Sequence, residues 1–178
     1  MTRPDTVRLL QERRCRFEGT TVDIQEISDR LELEQLIVRY TIAIDRKDWD
    51  LLDAVFTDDA VLDYSSSGGP DAKGGYPAMK AWLKNALAIF PMTQHLVGKS
   101  LIEFDGTDTA NCVTLFHNPM GVPTDSEGFF DQAGTSQHIF TVGGWYRDTC
   151  VRTPSGWKIA HKAEDQGHKA GGFPPFRS

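Results

Sequence analysis

Three side chains of this chain have the types needed to move a proton: Tyr40, Asp45 and His95. A carboxylate that holds an imidazole is a general-base device, and a nearby phenol polarises what the base attacks. Tyr40 and Asp45 fall at the end of a predicted N-terminal helix. His95 opens a predicted strand within Met92-Thr93-Gln94-His95-Leu96-Val97-Gly98. On an ideal helix Asp45 lies about 140° past Tyr40, so spacing alone unites them only if the helix end bends inward. Brought together, the three residues predict acid–base work on a small organic molecule. Kept apart, they are a solvated helix-terminal Asp, a structural His and a core Tyr.

The elements that must position them read as follows. Leu33, Leu36, Ile37, Tyr40 and Ile44 recur with helical spacing and make one face of an amphipathic helix, with Ser28 as its expected N-cap. Trp49 to Phe56 reads as a second short helix, stopped by Thr57-Asp58-Asp59, and Ala60 to Tyr64 alternates as a strand. Ser65 to Gly75 is a Ser- and Gly-rich loop with room for one brief strand. It lacks the lysine and spacing of a phosphate-binding loop. Pro77 suits the first turn of a third helix running through Trp82, Leu83, Leu87 and Phe90, with Pro91 ending it. The remaining runs, near 93–104, 109–118, 137–152 and 156–166, are strands, the last two joined by a turn at Thr153-Pro154-Ser155-Gly156. Helices followed by antiparallel strands predict an α+β domain over 25–166, a bent sheet wrapping helices. Residues 1–24 read as an extension whose Val7, Leu9, Leu10 and Phe17, scattered among arginines, suggest a short helix laid on the surface or on a neighbouring subunit. Residues 167–178, with Gly171-Gly172 and Pro174-Pro175, read as an irregular tail.

Composition narrows the partners. The chain has 178 residues and a net charge of −6, without a basic stripe, so nucleic acid is not an expected partner. No apolar run approaches the roughly 20 residues that span a bilayer, and Thr2-Arg3-Pro4-Asp5 leads into a charged stretch, so the expectation is a cytoplasmic protein without membrane contact. Cys15, Cys112 and Cys150 are widely spaced and read as reduced structural thiols. His117, His138, His161 and His168 match no metal-ligand spacing, so neither a metal nor another cofactor is expected.

The order of these motifs is Tyr40-x4-Asp45, Trp49-Asp50-x-Leu52, a strand at Asp58-Asp59-Ala60-Val61, then Gln94-His95-Leu96-Val97-Gly98. Gly143-Gly144-Trp145-Tyr146-Arg147-Asp148 and Gly156-Trp157-Lys158-Ile159 follow. This order resembles the SnoaL-like branch of the nuclear transport factor 2-like superfamily over roughly residues 27–166. Within that branch it is most similar to proteins of the bile-acid 7α-dehydratase kind, then to hexachlorocyclohexane dehydrochlorinase and scytalone dehydratase. The resemblance implies a cone-shaped α+β barrel, also called cystatin-like, with a deep apolar pocket. It also implies elimination of water or HCl by an Asp-supported His. Tyr40, Asp45, Tyr64 and His95 fall on the dehydratase's site positions, and Asn118 stands where that enzyme has an Asp. Two positions depart: Gln166 replaces an Arg of the dehydratase, and Lys162 replaces an Arg of the dehydrochlorinase. The expected catalytic residues are therefore Asp45, His95 and Tyr40. The expected substrate contacts are Tyr64, Asn118, Lys162 and Trp145, although Trp145 and Trp157 also read as core or interface fillers.

Two function classes follow. One is a cofactor-independent acid–base enzyme, a dehydratase or else an isomerase or cyclase, acting on a hydrophobic cyclic molecule such as a steroid or polyketide. The other is a non-catalytic binding module or the small structural subunit of a larger enzyme, which needs no internal carboxylate–imidazole pair. Several strands are apolar on both parities, as Val113 and Leu115 against Cys112 and Phe116, and Ile139 against Phe140 and Val142. Both faces of such a sheet must be covered, which predicts a homotrimer or homodimer.

Overall fold

The computed structural model describes residues 15–17, 20–22 and 24–177. Most of the expected surface helix of the N-terminal extension lies outside these residues. Within them, Cys15–Phe17 (β1) and Thr20–Val22 (β2) pair as antiparallel strands, so Phe17 is in a strand and not in a helix.

Helix α1 spans Ile24–Arg46 and buries the stripe expected of it: Leu33, Leu36, Ile37, Tyr40 and Ile44 are all at most 2% exposed. It begins before Ser28, whose hydroxyl bonds Glu32 within the helix and does not cap it. At its far end Lys47 takes a left-handed φ of 56°, and the Asp48 side chain accepts from the Leu51 amide, capping α2 (Trp49–Val55). Strand β3 (Phe56–Asp63) follows at once, so Thr57-Asp58-Asp59 lies in a strand. The one-turn α3 (Ser65–Gly68), β4 (Lys73–Gly75) and α4 (Tyr76–Ala86) come next, and α4 stops before Leu87. The remaining strands are β5 (Met92–Thr93), β6 (Leu96–Phe104), β7 (Thr109–Thr124), β8 (Ser136–Thr153) and β9 (Gly156–Ala170). The last of these runs past the expected limit at residue 166.

Seven strands form one curved sheet in the order β4-β3-β9-β8-β7-β5, with β6 also on β7. Only β3 with β9 is parallel. The expected α+β class holds, with helices against a sheet that bends around them and does not close. Along β7, Ala110, Cys112, Thr114, Phe116, Asn118 and Met120 alternate into the interior, and along β8 so do Phe140, Val142, Tyr146, Asp148 and Cys150. The opposite parity keeps Leu115, Ile139 and Trp145 exposed. Cys112 and Cys150 are free and buried. Among the described residues no helix is long and apolar enough to cross a membrane.

The tail is irregular but fastened. The Phe130 amide donates to Pro175 O at 2.8 Å, and Arg177 pairs with Asp125 and Glu127. Phe173 packs edge-on against Phe90, whose ring stacks on Phe140.

A buried carboxylate ties the start of α1 to the β8–β9 hairpin. Asp29 accepts from Arg152 at 2.6 Å, from Trp157 Nε1 at 3.1 Å and from Gln25 at 3.0 Å. Burial pushes its carboxyl up, but these bonds and the Arg152 charge outweigh it and hold the group below the usual carboxylate range. Replacing Asp29 by Ala strands the buried Trp157 N–H, and urea denaturation at pH 7 should show a loss of about 2–3 kcal/mol. The folded state has the lower pKa, so the contribution is full above the ordinary carboxylate pKa. It is lost as pH falls through the folded value, and the wild type–variant gap should therefore narrow in acid.

Candidate active site

The site is assembled where α1 ends and the sheet is interrupted. The stretch expected as one strand over 93–104 breaks at Gln94 and His95, between β5 and β6. There the Gln94 amide turns to Pro119 O and to the Asn118 side chain. The His95 amide donates instead to Asp45 Oδ2 at 2.8 Å, while His95 Nδ1 meets Asp45 Oδ1 at 2.6 Å. One carboxylate thus holds both the backbone and the ring of the same residue. The His95 side chain is 3% exposed and that of Asp45 is 21% exposed. Burial raises the Asp45 pKa, but the His95 ring and amide and the Thr93 hydroxyl together hold it below the ordinary range. An ionised carboxylate can only accept, so Nδ1 carries the hydrogen and Nε2 is the basic nitrogen.

No inward bend of α1 is needed, since the helix is continuous through Arg46. His95 itself closes the angular gap, with Nδ1 on Asp45 and its ring 6.4 Å, centroid to centroid, from the edge-on ring of Tyr40.

His95 faces a cavity of about 360 Å³, within the range of small-molecule pockets. Its walls are largely apolar, with Leu83, Leu87 and Phe90 facing Phe116, Met120 and Phe140. Tyr40 and Tyr64 line it too, their hydroxyls 2.8 Å apart. Burial pushes both phenols well above their usual pKa, so both keep their hydrogens and can donate hydrogen bonds. Asn118 also lines the cavity while its Oδ1 steadies the Gln94 amide.

Two of the expected substrate contacts lie elsewhere. Trp145 is on the outer parity of β8, 42% exposed, and its neighbour Tyr146 takes the inward place, stacked on Phe116 at 4.2 Å. Lys162 points inward but stops short of the cavity wall. Its ammonium sits 3.0 Å from Asp148 Oδ1 and 3.1 Å from Oδ2, over the rings of Tyr40 and Tyr146 at 4.0 and 3.8 Å. Burial pushes Lys162 down and Asp148 up, against the pull of their mutual hydrogen bonds. The pair is the floor beneath the tyrosines.

Sequence reasoning missed Glu164 and Lys169, which line the cavity from β9 together with Gln166, the position where the resemblance has an Arg. Trp157 and Ile159 set the inward parity of that strand, which would have turned His161, Ala163 and Asp165 inward. The register slips between the Ile159–Cys150 and His161–Thr149 pairs, leaving Ala160 unpaired, and this bulge turns Lys162, Glu164 and Gln166 inward. A second bulge at Gly167 returns His168 to the outer face and Lys169 to the cavity. The bulge fits because Gly144 opposite has no side chain; a Cβ there would lie 2.1 Å from Asp165 O. Among the described residues no three His, Cys, Asp or Glu side chains are grouped to hold a metal.

A SnoaL-like domain model matches residues 25–163. The chain belongs to the SnoaL-like family. It is 43% identical over 148 residues to the uncharacterized protein Rv2910c of Mycobacterium tuberculosis, a match covering 83% of this chain and 92% of that one. Among solved structures it is similar to the Kfla4162 protein of Kribbella flavida, with TM-score 0.70 and 25% identity over 81% of this chain and 94% of that one. A candidate scytalone dehydratase of Novosphingobium aromaticivorans gives TM-score 0.69 at 18% identity, covering 82% and 89% of the two chains. A hexachlorocyclohexane dehydrochlorinase, LinA type 2, gives 0.67 at 17%, covering 86% and 93%. At such identities these last two establish the shared nuclear transport factor 2-like fold alone.

The buried pair can be separated from the chemistry. Lys162→Met leaves Asp148 buried without a partner and should cost about 3–5 kcal/mol in urea denaturation. Adding Asp148→Leu to that variant should recover most of the loss. If the double variant is as unstable as the single one, the unpaired charge is not the cause.

Proposed function

We propose that this protein is a cofactor-independent acid–base enzyme, a lyase of the dehydratase type acting on a hydrophobic cyclic small molecule. The observation that carries the reading is the 2.6 Å contact of Asp45 with His95 at the wall of an apolar cavity. A non-catalytic binding module has no need of such a pair. His95 Nε2 removes a proton from a carbon next to an activating carbonyl. Asp45 fixes the tautomer and stabilises the imidazolium that forms. One hydrogen of the Tyr40–Tyr64 pair is spent between the two phenols, and the other turns from its Tyr146 neighbour to the substrate carbonyl on binding. The apolar walls exclude water and strengthen each of these interactions. The names carried by two solved relatives, a candidate scytalone dehydratase and a dehydrochlorinase, agree with elimination chemistry. Isomerisation or cyclisation would begin with the same proton abstraction. Rings of the steroid or polyketide kind suit the lining.

His95→Ala and Asp45→Asn should each lower turnover about 10²–10⁴-fold on whichever member of a panel of hydroxylated polyketides and steroids the wild type converts. Circular dichroism should show both variants folded. Near-normal turnover by either variant would remove the catalytic assignment.

The outer face of the sheet supports self-association. Leu96, Leu101, Leu115, Ile139 and Trp145 leave 42–71% of their surfaces exposed on the outer face of β6, β7 and β8, and large apolar side chains grouped on one face mark interaction surfaces. Sedimentation equilibrium at micromolar concentration should give a dimer or trimer mass, and Leu115→Lys should shift it toward the monomer. A monomeric wild type would end this proposal.

A further inference from the structure

The cavity holds a carboxyl group that the base mechanism does not use. Glu164 lines the wall formed by β9, and β8 and β7 separate that strand from the β5–β6 break that carries His95. The Ser67 hydroxyl lies close enough to favour its ionised form but donates to Tyr64 O, and the carboxyl's Oε1 is buried and has no partner among the described residues. A buried carboxylate oxygen without a donor is expensive, whereas a carboxylic acid directed at a substrate is not. Around it stand Tyr146 and Asp148 of β8, Lys162 of its own strand, Tyr40 of α1 and Tyr64 beside α3. Asp148 claims the Lys162 ammonium with both of its oxygens, so Glu164 has no cation bonded to it.

We propose that Glu164 is the general acid of this cavity and that it protonates a hydroxyl leaving group, which makes the substrate a ring bearing a hydroxyl β to the activating carbonyl. The assignment rests on His95 being the base. Burial, acting against Ser67, Lys162 and His95, pushes the Glu164 carboxyl above the ordinary carboxylate range, as a neutral acid requires. Competing donors are weaker. An unperturbed phenol has a pKa of about 10 against about 4.3 for a glutamic acid, and burial makes Tyr40 and Tyr64 weaker acids still. Lys169 is exposed at the rim.

The step balances without a further reactant. His95 Nε2 takes the proton, the C–H pair becomes the new C=C bond, and the C–O bond breaks with its pair going to oxygen. The Glu164 proton joins that oxygen and water departs. The enzyme is left with an imidazolium and a carboxylate, and transfer of one proton between them through solvent restores both. A chloride leaves as an anion and needs no such proton, so the geometry favours dehydration over dehydrochlorination.

Two measurements test this. The first is a pH titration of protein carrying ¹³C-labelled glutamate, with Glu164→Gln to identify the Glu164 carboxyl. Its signal should remain un-ionised after the other glutamates have titrated. Ionisation together with them would overturn the proposal and leave the His95 reading intact. The second uses a bicyclic β-hydroxyketone and the matching β-chloroketone as probes. Glu164→Gln should lose about 100-fold or more on the hydroxyketone and stay within a few-fold of wild type on the chloroketone. Glu164→Asp, which keeps an acid, should recover part of the hydroxyketone rate. Equal losses on both probes, or no loss on either, would overturn the assignment. Failure of the base reading has its own signature, since His95→Ala would then retain the chloroketone rate.

Discussion

The two-pronged grip of Asp45 on His95 is the constraint on which the site depends. A single hydrogen bond to the ring would set the tautomer but leave the residue free to move with its loop. The second bond, from Oδ2 to the His95 amide, closes the gap that the β5–β6 break leaves in the sheet's hydrogen-bonding ladder. The break has a use of its own: it frees an amide from the sheet and offers it to the helix end. Helix α1, turned back at Lys47 into α2, delivers the carboxylate, and β7 holds the other side of the gap through Asn118 and Pro119. The Asp45–His95 pair is therefore built from the helix end and the sheet together and belongs to neither alone.

Polarity within the cavity is arranged in layers. The Lys162–Asp148 pair lies below the tyrosines, fully buried, and spends its charges on each other and on two aromatic faces. Above it the Tyr40–Tyr64 hydroxyls make a weakly acidic hydrogen-bonding floor. His95, in the β5–β6 break, and Glu164, on β9, stand apart at the walls. Apolar side chains fill the remainder, so a bound ring would meet few polar groups, each with a distinct acidity. The Phe90–Phe140 stack, braced by Phe173 of the fastened tail, shapes the same lining from its rim.

Much of the frame was legible in the sequence because local periodicity and burial agree there. The α1 stripe from Leu33 to Ile44 and the alternation along β7 are cases where every apolar residue of one parity is inside. The Asp45–His95 pairing is not legible from spacing, since the two are 50 positions apart in the chain; only the family resemblance joins them. Trp145 and Tyr146 could not be told apart because both parities of β8 carry large apolar residues. Glu164 was hidden for a different reason. The bulge at Ala160 reverses the facing of β9, and a run such as Lys162-Ala163-Glu164-Asp165-Gln166 gives no large apolar residue by which to detect the reversal. Lys162 reads as a substrate contact only through the Arg that the resemblance has at its place; its partner Asp148 lies on another strand, brought into register by folding.

The most direct test of the central claim is the ¹⁵N spectrum of the His95 imidazole at a pH where the ring is neutral. The account requires hydrogen on Nδ1 and a bare Nε2 facing the cavity, and it requires Asp45→Asn to disturb that preference. A ring with hydrogen on Nε2, or a tautomer that Asp45→Asn leaves unchanged, would contradict it.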